Sequence, residues 1–221
     1  MHNIINLSFP VRGTELPADH NYRLYSAISK QFPQIHHLDG LAINTIPGIP
    51  DKQGKIRLTR YSRLLLRLPL EAIAQVYLLA GQTLDVGGYP IQLGNPELQT
   101  LQPVDFLSAR LVTIKGYTET APFLAAAQRQ LQTLDINANI GIPANEQGKP
   151  KRLTLKINKP NRSYTIVGFS VVVSDLTPDD AVKLQIHGLG GKRRIGCGVF
   201  CSPIPVPVYR RSDRYATTAI G

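Results

Sequence analysis

Tryptophan is missing from this chain of 221 residues, methionine occurs once, and aromatic residues make up only 7%. Reading single-stranded nucleic acid by base stacking needs aromatic side chains on a strand platform, and no such pair stands on an expected strand. Cysteine is also scarce. Cys197 and Cys201, if on one strand, would stand ~13 Å apart, too far for a disulfide. Two thiols without a histidine pair at finger spacing cannot complete a zinc site either. They read as reduced core residues. No apolar run approaches the ~18 residues of a membrane span. The opening MHNIINLSFP has neither the charged start nor the apolar stretch of an export signal. The expectation is a cytoplasmic protein with no membrane partner.

Acidic residues are the remaining shortage: 15 Asp and Glu face 25 Lys and Arg, a formal net charge of +10. A surplus of that size points to a polyanion, and to nucleic acid rather than lipid because no basic amphipathic helix is visible. Hydrophobic residues, at 43%, are sufficient for a buried core.

The first half predicts a β-α-β-β-α-β order. Ile4 to Val11 alternates as a strand. ADHNYRLYSAISKQF has helical spacing at Tyr22, Tyr25, Ile28 and Ser29, with Asp19 as N-cap and Pro33 as terminator. Leu41 to Ile46 reads as a short strand. In SRLLLRL, Leu64, Leu66 and Leu68 take one face, while Arg63, Leu65 and Arg67 take the other. PLEAIAQVYLLAG reads as a helix, and Thr83 to Leu93 as a hairpin bending at Gly87 and Gly88.

The second half repeats the order. Phe106 to Ile114 is a strand and APFLAAAQRQLQTL a helix. RLTLKI and YTIVGFSVVV are strands joined by a polar turn, Asn158 to Ser163. In TPDDAVKLQIHG, Thr177 caps a helix, Pro178 starts it and Gly188 ends it. RIGCGVF is read as the last strand. The fold expected is therefore α+β, two tandem ferredoxin-like units, over 1–98 and 99–202, with an extended basic tail at 203–221.

The segment HGLGGKRRIGCGVF sets five glycines around Lys192, Arg193 and Arg194. Glycine permits positive φ and close backbone approach, so the amides of Gly190 and Gly191 and the three cations are expected to face a phosphate. A Walker loop would need serine or threonine after the lysine, and a dinucleotide fingerprint would need a following helix. Neither is present.

This loop, lying between a last helix and a last strand, resembles the signature of the Cas6 repeat-RNA endoribonucleases of the RAMP superfamily. LPADHNYRLYSAISKQFPQIHH resembles that family's first helix and the segment after it. The resemblance covers Asn3 to Phe200. It implies cleavage of precursor CRISPR RNA within each repeat, retention of the guide RNA, and service beside other subunits of a type I CRISPR effector complex. The alternative it leaves open is a non-catalytic RAMP-type RNA-binding subunit.

Cleavage without metal or cofactor uses the substrate's 2′-hydroxyl as nucleophile and needs a base, an acid and positive charge at the phosphorus. Histidine suits proton transfer near neutral pH. The resemblance places the catalytic histidine just past the first helix, where Pro33-Gln34-Ile35-His36 fits best; His36 leads and His37 is its alternate. His20, at the helix start, is the next candidate, with a structural role favoured because a cation is unwelcome there. His187, at the end of the last helix, reads as dipole compensation. Tyr25 and Ser29, sharing a helix face, and Lys30 are the nearest partner groups. RNA binding is assigned to Lys192, Arg193, Arg194, Gly190 and Gly191, to a basic stretch of Arg57, Arg60, Arg63 and Arg67, and to Lys151 and Arg152 beside the second hairpin. Scarce aromatics and abundant cations together suit a reader of the shape and phosphates of an RNA hairpin.

Overall fold

The structure, a computed structural model, describes residues 4–51, 53–159 and 162–202. His2 and the expected basic tail lie outside the described residues. The first half runs β1 (Ile4–Arg12), α1 (Asn21–Gln31), β2 (Ala42–Ile43), β3 (Arg63–Pro69), α2 (Ile73–Val76), β4 (Thr83–Asp85), β5 (Pro90–Leu93) and β6 (Glu97–Gln99). Strand β1 is central. It pairs antiparallel with β3 from Ile4↔Pro69 to Pro10↔Arg63, and on its other edge with β5 and β6. Beyond β3 lies β2, which matches Ala42 with Arg67. In space the order is β2-β3-β1-β5-β4 with β6 also on β1, so β5 and β6 together fill the fourth-strand position of a ferredoxin-like arrangement.

Alternation explains the burial. Leu7, Phe9 and Val11 of β1 and Leu64, Leu66 and Leu68 of β3 fall on one face, packed in one core with Leu24, Ala27 and Ile28 of α1. Removing that apolar surface from water stabilises the unit by ~25 cal/mol per Å². The segment read as a single second helix is divided: α2 is one turn, flanked by 3-10 turns at Leu70–Ala72 and Tyr77–Leu79. Short strands at Glu15–Pro17, Ile49–Pro50 and Lys55–Arg57 form a separate three-stranded sheet.

The second half runs β7 (Leu107–Val112), α3 (Thr120–Thr133), β8 (Asn139–Gly141), β9 (Arg152–Lys159), β10 (Arg162–Ser174) and α4 (Pro178–His187). Strand β10 is long enough to pair with β9 through its first half and with β8 through its last residues; β7 runs along its other edge. Phe123 of α3 meets Phe169 of β10 with ring centroids 4.7 Å apart. Thr177 caps α4 as expected, its Oγ1 accepting from the Asp180 amide at 3.2 Å.

The expected last strand is corrected. Arg193–Ile195 is a 3-10 turn, and Gly196 and Gly198 have φ of +75° and +67°, which an extended ladder does not admit. Only its end behaves as an edge strand: Gly198 N–H donates to Leu111 O at 2.8 Å, and Ser108 and Cys201 exchange both backbone bonds at 2.9 Å. This short run occupies the fourth-strand position beside β7, so the second half keeps the ferredoxin-like order. Among the described residues no helix is long and apolar enough to cross a membrane.

A third cluster joins the halves. Leu111, Leu155, Ile157, Ile166, Ile195 and Cys197 pack together, and Tyr22 and Tyr25 of α1 lie against them. Asp19 Oδ2 accepts from the Lys156 amide at 3.0 Å, so the start of α1 is also tied to β9.

Candidate active site

Helix α1 closes with the Phe32 amide donating to Ile28 O at 2.8 Å. Pro33, with no amide proton and φ already helical, opens a 3-10 turn over Pro33–His37. Ile35 of that turn is buried in the first core, so its neighbours His36 and His37 stand exposed. The turn also returns the chain alongside α1. Tyr25 Oη lies 2.6 Å from His36 Nδ1, and the two rings meet edge to face at 85°. Two sequence-selected residues from different elements are thereby brought together. A Tyr25 hydroxyl donating to Nδ1 places the ring proton on Nε2; the reverse sense leaves Nε2 ready to accept one.

The other candidates separate. Ser29 Oγ donates to Tyr25 O at 2.8 Å, a bond back along its own helix. His37 is exposed, as is Lys30. His20 takes the structural role favoured for it, and its catalytic candidacy is corrected. It is only 1% exposed; its Nδ1–H donates to Pro17 O at 2.8 Å and its Nε2 accepts from the Ile46 amide at 3.0 Å. Burial, helped by Arg110 and opposed by the Pro17 bond, lowers its pKa to about 4. A neutral ring with both nitrogens engaged has no proton to exchange with a substrate.

The glycine-rich loop reaches this same place. Arg194 donates from Nη1 to His36 O at 2.9 Å and from Nη2 to Leu38 O at 2.8 Å, with Asp39 Oδ1 at 4.0 Å. Asn21 of α1, which no sequence pattern singled out, donates to Ile195 O at 2.8 Å and accepts from Arg110 at 3.1 Å. Its only sequence signal is a position beside the helix start. Lys192 is exposed on left-handed backbone, φ +67°. Arg193 is half-buried; its Nε and Nη2 have no hydrogen-bond partner among the described residues. Burial, then the charge of Arg67, lowers its pKa to about 10.

The glycines serve differently from expectation. Gly190 N–H donates to Gln130 Oε1 at 2.7 Å and Gly191 N–H to Thr113 O at 3.1 Å, so both amides are engaged inside the protein and not turned to an anion. What requires glycine is backbone crossing. A Cβ on Gly188 would lie 2.2 Å from Gly198 O, and one on Gly198 would lie 2.0 Å from Leu189 O. The loop is a frame of touching main chain, and its cations supply the charge.

The basic stretch of the first half is dispersed. Arg57 lies exposed in the small sheet. Arg60 stacks over Tyr61 at 4.8 Å, and Arg63 donates to Arg60 O at 2.8 Å. Arg67 is corrected: it is 1% exposed and cannot touch a phosphate. Its Nε donates to Asn6 Oδ1 at 2.9 Å, and its Nη1 donates to Gln185 O at 2.6 Å and Phe200 O at 3.0 Å. At Arg67 the polar face of β3 is covered by the second half, and the guanidinium ties the halves together. Lys151 and Arg152 are exposed at the base of the β9–β10 hairpin.

A family model described as Cas6 Crispr matches residues 5–204. The CRISPR-associated endonuclease Cas6 of Myxococcus xanthus (strain DK1622) is 33% identical over 199 residues, covering 90% of this chain and 81% of that protein. Among solved structures, a CRISPR associated protein Cas6 superposes with a TM-score of 0.60 at 13% identity, over 90% of this chain and 98% of the other. A RAMP protein binding different RNA substrates superposes with a TM-score of 0.55 at 13% identity, over 89% and 98%. The two superpositions show the shared fold; the family model's match over residues 5–204 and the 33% identity across 90% of the chain show that it belongs to the Cas6 family.

Proposed function

We propose that this chain is a cytoplasmic, metal-independent endoribonuclease that cuts precursor CRISPR RNA within the repeat. The observation that carries this reading is the Tyr25–His36 pair, exposed on the surface and flanked by the glycine-rich loop. In the proposed step the 2′-oxygen loses its proton and attacks the adjacent phosphorus. The bond to the 5′-oxygen breaks, and that oxygen takes up a proton. The products are a 2′,3′-cyclic phosphate and a 5′-hydroxyl. His36 is the proton-transfer group; Tyr25 orients its ring and selects its tautomer. Lys192 faces the substrate backbone, with Arg193 beneath it, and Arg57, Arg60, Lys151 and Arg152 extend the contact along a repeat hairpin. Recognition through phosphates accords with the +10 charge and 7% aromatic content. The protein keeps hold of the guide RNA and delivers it to other subunits of a type I effector complex.

The test is incubation of the protein with its CRISPR repeat RNA in EDTA. A single cut ending in a 2′,3′-cyclic phosphate is expected, lost in His36→Ala while binding is retained. RNA that is bound but never cut by the wild-type protein would instead make this a non-catalytic guide-binding subunit.

A further inference from the structure

Of the three consecutive cations in the glycine-rich loop, Arg194 stands in the wrong company for a phosphate ligand. Both of its terminal nitrogens donate to main-chain carbonyls of the histidine-bearing segment, His36 O at 2.9 Å and Leu38 O at 2.8 Å. The planar guanidinium fork suits two acceptors two residues apart; a lysine ammonium does not reproduce that geometry. The bonds join positions 158 and 156 residues apart in the chain, so they form only when both halves are folded. The opposite side of the same turn is held by Asn21, which grips Ile195 O at 2.8 Å from α1, the helix that carries Tyr25. Tyr25 and His36 therefore hang from two elements, and the Arg193–Ile195 turn is pinned to both.

We infer that Arg194 is a positioning residue: it sets the His36 ring against Tyr25 and the scissile phosphate, while Lys192, two residues earlier, holds the RNA. This rests on the proposed role of His36. Without the clamp, the Pro33–His37 turn keeps its own short 3-10 bonds, the Ile35 anchor and the Tyr25 contact at the ring, and the His36 backbone gains freedom. A displacement of about 1 Å in a catalytic group lowers rate by as much as 100-fold without altering how tightly substrate is held.

The experiment separates rate from affinity. Single-turnover cleavage of the repeat RNA in EDTA is measured with saturating protein, and Kd is measured separately, for wild type, Arg194→Ala, Arg194→Lys, Lys192→Ala and His36→Ala in the full chain. Arg194→Ala is expected to lower the saturated rate by about 100-fold with Kd unchanged. Lys192→Ala is expected to weaken Kd, which the Arg194 variants leave unchanged. Arg194→Lys guards against a folding failure of the alanine variant; it is expected to melt and bind like wild type yet cut more slowly. Arginine variants that lose affinity but cut at the wild-type rate once saturated overturn the inference and make Arg194 a phosphate ligand. His36→Ala cutting at the wild-type rate sinks the site assignment and this inference with it. An inactive His36→Ala beside fully active Arg194 variants sinks the inference alone.

Discussion

Tyr25 Oη and His36 Nδ1 are 2.6 Å apart although eleven residues separate them in the chain. The contact exists because α1 stops at Phe32 and Pro33 turns the chain back along the helix. Removing the imidazole removes the proton-transfer group, so His36→Ala is expected to cut repeat RNA about 10²–10⁴-fold more slowly. Tyr25→Phe keeps the ring, which packs on two apolar clusters, and deletes only the hydroxyl. It should melt like wild type and cut more slowly. Quantified cleavage beside a thermal melt checks both.

Arg67 predicts a different phenotype from the surface arginines. Its guanidinium satisfies Asn6 Oδ1, Gln185 O and Phe200 O in a site closed to solvent. Arg67→Ala leaves those acceptors buried without donors and opens a cavity, which costs about 3–5 kcal/mol. Urea unfolding should show that loss, whereas Arg57→Ala should leave the midpoint in place and weaken RNA binding alone.

The pH dependence of stability should carry the mark of His20. Its folded pKa, about 4, lies below the ordinary 6.5, so between those values the unfolded chain holds a proton that the folded chain refuses. Stability is then complete above pH 6.5 and falls as pH drops toward 4, by about 3 kcal/mol in total. Protonated Nε2 would also oppose the Ile46 amide that it accepts from. Chemical denaturation across this pH range checks the slope, which should flatten in His20→Gln.

Glycine substitutions in the loop should divide sharply. A Cβ on Gly191 meets nothing within 4 Å, whereas one on Gly198 lies 2.0 Å from Leu189 O on backbone of positive φ. Gly191→Ala is expected to leave the urea midpoint unchanged. Gly198→Ala should cost about 3 kcal/mol or more, combining left-handed strain with overpacking.

Much of the fold was legible because its signals are local. Alternation in β1 and β3 and the Thr177-Pro178 start of α4 each depend on a few neighbouring residues. Asp19 was legible as a helix-start residue but not as the cap: His20 takes that place, and Asp19 accepts from Lys156 of β9 instead. RIGCGVF looks extended by composition, but Gly196 and Gly198 take positive φ where the chain packs closely on Asn21 and Ile43 and on Leu189, contacts that local sequence does not reveal. Arg67 was misplaced for a related reason. Alternation tells which residues share a face of β3, but not that the second half covers that face at Arg67. At the site, His36 and Tyr25 were each visible as residue types in suitable positions. Their pairing, and the Arg194 clamp, depend on how distant segments meet.

The crossing of Gly188 and Gly198 separates shape from charge in the loop. Main chain touches main chain there, so the frame tolerates no side chain, while Lys192 projects from it into open water. A search for variants that accept a different repeat can therefore vary the exposed arginines outside the loop freely, and position 192 among residues that its left-handed backbone admits. It should leave every crossing glycine untouched, because losing one would discard the scaffold together with the preference being altered.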